Sequence, residues 1–196
     1  MIHLPRVLEA GMEVQAFCQS QGWRFCFIGG VAIQRWGNPR LTQDVDLTLL
    51  TGFGNEESFL RPLLAHFTPR RADAFEFALS RRVLLVRTGS GVDADIALGA
   101  VPFEERAVSR SSTWEWVAGK SLITCSGEDL VVHKVFAGRD RDWGDVEELL
   151  ARQHGKLNLA QVRAELAPLL ELKDDPDALP KLDRMLAIVE RRLRAT

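Results

Sequence analysis

Cysteine is scarce in this chain. Cys18, Cys26 and Cys125 are the only three, an odd number at wide spacings with no CxxC pair. That excludes a disulfide framework and fits the reduced thiols of a cytoplasmic protein. Histidine is scarce too: His3, His66, His133 and His154 lie scattered, without the spacing of zinc ligands. No apolar run approaches the about 18 residues of a membrane span. The N-terminus lacks a basic region followed by an apolar stretch, so no secretion signal is expected. No internal repeat or low-complexity tract is present. The formal net charge of −2 gives no global pull towards nucleic acid. Basic residues do cluster at Arg70-Arg71, Arg81-Arg82, Arg139 and Arg141, and Arg191, Arg192 and Arg194. Such patches can take phosphate or RNA, but charge alone does not say that they do.

What remains is an ordinary globular composition, 46% hydrophobic and 27% charged over 196 residues. This length suits one compact domain, or a core with a helical annex. Residues 5–20 read as a helix with Leu8, Met12, Val14 and Phe17 towards one face. Residues 24–28 read as a buried strand, followed at once by Gly29-Gly30 and a short helix over 31–36 that stops at Gly37-Asn38-Pro39. A second strand is expected over 43–50 and a helix over 56–67. Residues 75–79 and 82–88 read as two strands, a hairpin around Ser80-Arg81, and 92–98 as another strand. Residues 103–126 are mixed, with one or two short strands. From Glu128 onwards the chain reads as helix. Leucine stripes run through Leu159, Val162, Leu166 and Leu169, and through Leu179, Leu182, Leu186, Val189 and Leu193. Pro168 is expected to interrupt the first, and Pro176 and Pro180 to separate the two. The fold class is therefore α/β (α+β). A mixed sheet flanked by helices is expected in residues 1–125, and a helical bundle packing on it in 126–196.

The residues that can do chemistry are carboxylates. Side chains two apart on a strand share a face, so Asp44 and Asp46 project together while Val45 and Leu47 face the other way. At roughly 3.3 Å per residue their backbones lie roughly 6.6 Å apart. Two bare carboxylates that close repel each other unless a cation neutralises them. Mg²⁺ suits them, because it takes oxygen ligands and accompanies phosphate-bound substrates. Val92-Asp93-Ala94-Asp95-Ile96 repeats the arrangement. If this strand lies beside 43–50, a third carboxylate reaches the same cations, and either Asp93 or Asp95 could supply it. Taken alone, a DxD on a strand is also what an exposed sheet face carries. Likewise Gly29-Gly30 is either a tight turn or a place where backbone meets phosphate at a helix N-terminus.

The order of these features narrows the choice. Phe27-Ile-Gly-Gly-Val-Ala-Ile-Gln-Arg-Trp-Gly followed by Arg40-Leu-Thr-Gln-Asp-Val-Asp-Leu resembles the core motif of the DNA polymerase β-like nucleotidyltransferase superfamily. Within it, the GG…R-x-T-x-D-x-D pattern is most similar to AbiEii-type nucleotidyltransferase toxins. A later run, from Glu128 to Val146, resembles the helical motif K-x-x-A…R-x-x-D-x-x-D, with Lys134, Arg139, Asp142 and Asp145 at the matching positions and Arg141 beside them. The similarity covers about residues 25–147. Many superfamily members carry Gly-Ser where this chain has Gly29-Gly30, a departure that the AbiEii-like branch tolerates.

The resemblance implies a catalytic and metal-binding set of Asp44, Asp46 and Asp95, with Asp95 preferred over Asp93. It implies two Mg²⁺ ions, or Mn²⁺ in their place. Nucleotide binding falls to Gly29, Gly30, Arg40, Thr42, Lys134, Arg139, Arg141, Asp142 and Asp145, with Lys134 on the triphosphate. The family shape implies a site in the cleft between sheet and helical half. The implied partners are an NTP, an acceptor RNA (such as tRNA) or protein, and an antitoxin, with no membrane. Small-molecule acceptors such as antibiotics, and a non-catalytic binding module or antitoxin of the same shape, are the alternatives. A phosphohydrolase would call for histidine ligands, and His66 and His133 sit in no ligand pattern.

Overall fold

The computed structural model describes residues 4–194; His3 lies outside them. Two compact units emerge. The first comprises residues up to Val31 and Leu41–Cys125, the second Ala32–Arg40 and Ser126 onwards.

The first unit is built on a mixed seven-stranded sheet. Its strands are β1 (Phe25–Phe27), β2 (Asp44–Leu50), β3 (Thr68–Pro69), β4 (Val83–Arg87), β5 (Asp93–Gly99), β6 (Ser112–Val117) and β7 (Lys120–Thr124), in the spatial order β3-β4-β5-β2-β1-β7-β6. The central pair β2 and β5 is parallel, and β4 and β1 flank it antiparallel. The period-two pattern decides the faces. Val45, Leu47 and Leu49 of β2 and Ala94, Ile96 and Leu98 of β5 are buried in one hydrophobic cluster. Their alternates Asp44, Asp46, Asp93 and Asp95 are half-buried on the opposite face.

Helix α1 (Leu4–Ser20) supplies Val7, Leu8, Val14 and Cys18 to that cluster, at the three-to-four spacing of an amphipathic helix. Gly11 lets it approach the sheet, since a Cβ there would sit 3.3 Å from the Leu122 methyls. Burial pushes the Cys18 thiol up to about 12 and keeps it neutral. Helix α2 (Gly29–Trp36) starts two residues earlier than the sequence suggested, with both glycines inside it. Helix α3 (Glu57–His66) adds Leu60 and Leu63 to the core.

Two segments differ from their sequence reading. Residues 74–81 form helix α4 (Ala74–Arg81), not the first strand of a hairpin. The Phe75-Glu76-Phe77 alternation mimics a strand, but the residues that bury are Ala74 and Ala78, one helical turn apart. The helix stops where Arg82 turns left-handed (φ 54°) and its N–H bonds Ala78 O. Residues 102–110 form helix α5 (Pro102–Arg110), whose N-terminus is fixed by Pro102 and by the Glu104 carboxylate, which accepts from the N–H groups of Ala100 and Val101.

The second unit is helical. It holds α6 (Gly127–Ala137), α7 (Asp140–Arg152), α8 (Leu159–Lys173) and α9 (Ala178–Arg194), packed around Leu130, Val135, Val146, Leu149, Val162, Leu166, Leu182 and Val189. Ser126 caps α6 by accepting from Asp129 N–H. Gly138, at φ 70°, ends it. Lys134 and Asp145 therefore stand on two helices, and Gly144 lies within α7. Pro168 does not interrupt α8, which runs through it. Pro168 and Ala164 are both exposed, so the carbonyl that loses its intrahelical donor can turn to water.

His133 gives this unit a pH dependence. Its Nε2 is sealed from solvent, and this burial pushes its pKa down to about 4; Asp129 pulls it up and Lys134 pushes it further down. Between the ordinary 6.5 and about 4 the unfolded chain binds the proton and the folded one does not. Stability therefore falls as pH falls through that window, by at most about 3 kcal/mol. Denaturant unfolding of His133→Gln should show a flatter pH dependence from pH 7 to 4.5 than the parent. Among the described residues no helix is long and apolar enough to cross a membrane.

Candidate active site

The parallel ladder between β2 and β5 sets the geometry. Asp44 stands opposite Asp93 and Asp46 opposite Asp95, in register, all on the face turned away from the core. Asp44, Asp46 and Asp95 are thus brought together by backbone alone. Parallel neighbours lie about 4.8 Å apart, less than the spacing along either strand.

Around them the polar contacts are specific. Thr42 Oγ1 donates to Asp44 Oδ1 at 3.2 Å. Gly30 N–H points at Asp46 Oδ2, 3.4 Å away. Arg70, in the loop after β3, donates to Asp95 through Nη1 and lies 3.4 Å from Asp93 through Nε. Arg87 Nε bonds Asp93 at 2.8 Å. Gln43, Asp44, Arg70, Arg87, Gly91 and Asp93 line an open pocket beside this cluster.

The two glycines are explained by contact. Gly29 has φ 54°, and a Cβ on it would sit 2.0 Å from Asp46 Oδ2. A Cβ on Gly30 would sit 2.2 Å from Thr42 Oγ1. The start of α2 therefore lies directly on the Thr42-x-Asp44-x-Asp46 segment, and only glycine permits that approach. Gly29→Ala should lower stability by about 1–3 kcal/mol and push the Asp46 carboxylate aside. Its thermal unfolding midpoint should drop by several degrees, whereas Gly52→Ala, at a positive φ with open space around it, should cost less.

The remaining sequence-derived residues form a separate network in the second unit. Arg40 makes a two-pronged bond to Asp145, Nε to Oδ1 at 2.6 Å and Nη2 to Oδ2 at 2.7 Å. Lys134 Nζ lies 2.7 Å from Asp145 and 3.0 Å from Asp142. Arg139 Nε reaches Asp142 at 2.6 Å. Lys134, Asp142 and Asp145 are all at most 7% exposed. Burial alone would raise both carboxyls. The hydrogen bonds from Arg139 and Lys134 to Asp142, and from Arg40 and Lys134 to Asp145, outweigh it and hold both below the usual carboxylate range. Lys134 is thus not on a solvated helix surface, and a triphosphate contact would require its ammonium to leave an aspartate. Arg141 is exposed.

Among the described residues, no three His, Cys, Asp or Glu side chains are already gathered as a metal site. The donor set nevertheless suits a hard cation. It is all oxygen, it is in register, and at Asp95 it already holds a positive group, the Arg70 guanidinium. Arg70 stood out in the sequence only as half of the basic pair Arg70-Arg71, and Arg87 not at all; nothing periodic ties a loop residue to a strand 25 positions away.

No protein-family model matches this sequence, and no curated protein does either. Solved structures do match it in fold. An antigenic nucleotidyltransferase-like protein from Paracoccidioides brasiliensis aligns over 95% of this chain and 94% of its own, with a TM-score of 0.54 at 14% identity. The structure of ANT(2")-Ia in complex with adenylyl-2"-tobramycin aligns over 85% of this chain and 98% of its own, with the same TM-score and identity. The chain has the nucleotidyltransferase fold.

Proposed function

We propose that this chain, with its nucleotidyltransferase fold, is a metal-dependent transferase that moves a nucleoside monophosphate from an NTP to an acceptor hydroxyl. The observation that carries the proposal is the in-register pairing of Asp46 with Asp95, with Asp44 on the same face. Structures at this level of identity support the fold; the activity is inferred from the carboxylates.

Asp44, Asp46 and Asp95 would hold Mg²⁺, or Mn²⁺ in its place, in two-ion form. Bound there, the metal would neutralise phosphate charge and acidify the attacking hydroxyl. Asp95 takes the proton of the acceptor hydroxyl. The hydroxyl oxygen forms a bond to the α-phosphorus, the α–β bridging bond breaks, and pyrophosphate leaves. Thr42 orients Asp44 through its hydroxyl, and Gly29-Gly30 leave space for Asp46. In the second unit, Asp142 and Asp145 orient Lys134, Arg40 and Arg139; the triphosphate contact proposed for Lys134 rests on the family resemblance and requires its ammonium to leave one aspartate. Arg141, exposed on α7, completes the proposed nucleotide-binding set.

For the acceptor we keep RNA or protein, in line with the AbiEii-type motif. A toxin role with an antitoxin partner, and a cytoplasmic location, rest on that resemblance. A small-molecule acceptor is supported by the neighbour whose structure contains adenylyl-2"-tobramycin. The test is to incubate the protein with Mg²⁺ and each α-phosphate-labelled NTP, offering RNA, protein and small hydroxylated acceptors separately. Transfer of label to one class identifies the acceptor. One observation favours a second reading, a non-catalytic module: Asp93 and Asp95 are ion-paired to arginines, as an unused site would be. Absence of any NTP-and-Mg²⁺ stabilisation in thermal unfolding would favour that reading.

A further inference from the structure

We infer that Arg70 is a built-in counter-ion that competes with metal for Asp95, so that this site loads metal only by displacing it. The inference rests on the transferase reading above. Three observations point to it. The Arg70 guanidinium bonds Asp95 through Nη1 and reaches Asp93 through Nε at 3.4 Å, bridging two carboxylates of one strand. Its side chain is 25% exposed, so it is largely enclosed yet can leave towards solvent. Its backbone is anchored independently, by Arg70 N–H to Leu85 O, so the side chain can move without the loop.

Charge explains why a placeholder is useful. Asp44, Asp46, Asp93 and Asp95 crowd two adjacent strands and repel one another. Arg87 answers one of these charges through Asp93. Arg70 answers Asp95, the one carboxylate of β5 assigned to metal. When metal takes Asp95, the guanidinium is released beside the pocket it lines with Arg87 and Gln43. There it is placed to meet an anionic group of the substrate, a role that the planar fork of arginine suits. Arg70 is therefore a positioning residue that acts through Asp95.

The experiment is Mn²⁺ binding by calorimetry and paramagnetic titration, with and without a non-hydrolysable NTP analogue. The proteins are the parent, Arg70→Gln, Arg70→Lys and Arg87→Gln. In the absence of nucleotide, Arg70→Gln should bind Mn²⁺ about tenfold more tightly than the parent, and Arg70→Lys should fall between them. Arg87→Gln removes the same charge, but among the described residues Arg87 pairs with Asp93 and not Asp95, so it should tighten binding by less than about threefold. Equal tightening in Arg70→Gln and Arg87→Gln would mean a plain field effect and would overturn the inference, as would no tightening in Arg70→Gln. In case Arg70→Gln folds poorly, the parent offers a second readout. On Mg²⁺ addition the Arg70 side-chain N–H resonance should shift while that of Arg87 stays; an unmoved Arg70 signal at saturating Mg²⁺ overturns the inference. A parent and variants that bind no Mn²⁺ even with nucleotide would instead overturn the transferase reading itself.

Discussion

Asp46→Asn is expected to abolish nucleotidyl transfer, lowering the rate on the order of a thousandfold or more, while leaving the fold intact. The reason is positional. Asp46 stands between Asp44, two residues away on its own strand, and Asp95, its partner across the parallel ladder. Of the three carboxylates proposed to hold metal, Asp46 alone adjoins both of the others on one face. An amide keeps the shape but loses the charge proposed to hold a divalent cation, and metal-bound charge stabilisation is worth several kcal/mol in such reactions. Stability should change little, because Asp46 is half-buried and Asn can still accept from Gly30 N–H. The check is a pair of measurements on one preparation: labelled transfer and the thermal unfolding midpoint. Relief of carboxylate repulsion makes a small rise in the metal-free midpoint the expected accompaniment. A variant with full transfer would remove Asp46 from the site.

Lys134→Ala is expected to destabilise the protein by about 3 kcal/mol. Lys134 is 6% exposed and shared by two carboxylates that are themselves buried. Removing it leaves Asp142 and Asp145 short of one cation each, with Arg139 and Arg40 still bound. Arg139→Ala offers the contrast. Its side chain is 77% exposed, so its ion pair with Asp142 is screened and should contribute less than about 1 kcal/mol. Denaturant midpoints of the two variants separate these outcomes. The same network sets an acid limit. Asp142 and Asp145 are held below their ordinary 3.8, so their contribution is complete above that value. It is lost only as pH falls through the lower folded-state values. Above pH 4 the pH dependence should therefore come from His133 rather than from these aspartates.

These two variants also separate what was legible in the sequence from what was not. Asp44 and Asp46 were legible as a pair because strand periodicity assigns a face without knowledge of the rest of the fold; periodicity left Asp93 and Asp95 level, and only the family resemblance preferred Asp95. Which strand pairs with which is a long-range fact, and the parallel pairing of β2 with β5 had to be supplied by the structure. Gly29 and Gly30 were visible as a pair, but their reason, the side chains of Asp46 and Thr42 pressed against them, was not. The family resemblance offered Lys134 as a phosphate contact. Its burial between two aspartates of the next helix follows from Gly138 turning the chain, which periodicity alone could not locate. Helix α5 did announce itself through Pro102 and Glu104, a capping signature inside a stretch read as mixed. Helix α4 was hidden by its brevity, since eight residues with two phenylalanines two apart satisfy the strand pattern equally well. Arg40 with Asp145, 105 residues apart, lay beyond any local pattern.

The most direct test of the account is to locate the metal. Crystals grown with Mn²⁺ and a non-hydrolysable NTP analogue, measured for anomalous scattering at the manganese edge, should place manganese against the carboxylates of Asp44, Asp46 and Asp95, with the nucleotide phosphates completing its shell. Manganese bound elsewhere, or nucleotide bound with none of these three side chains in the shell, would contradict it.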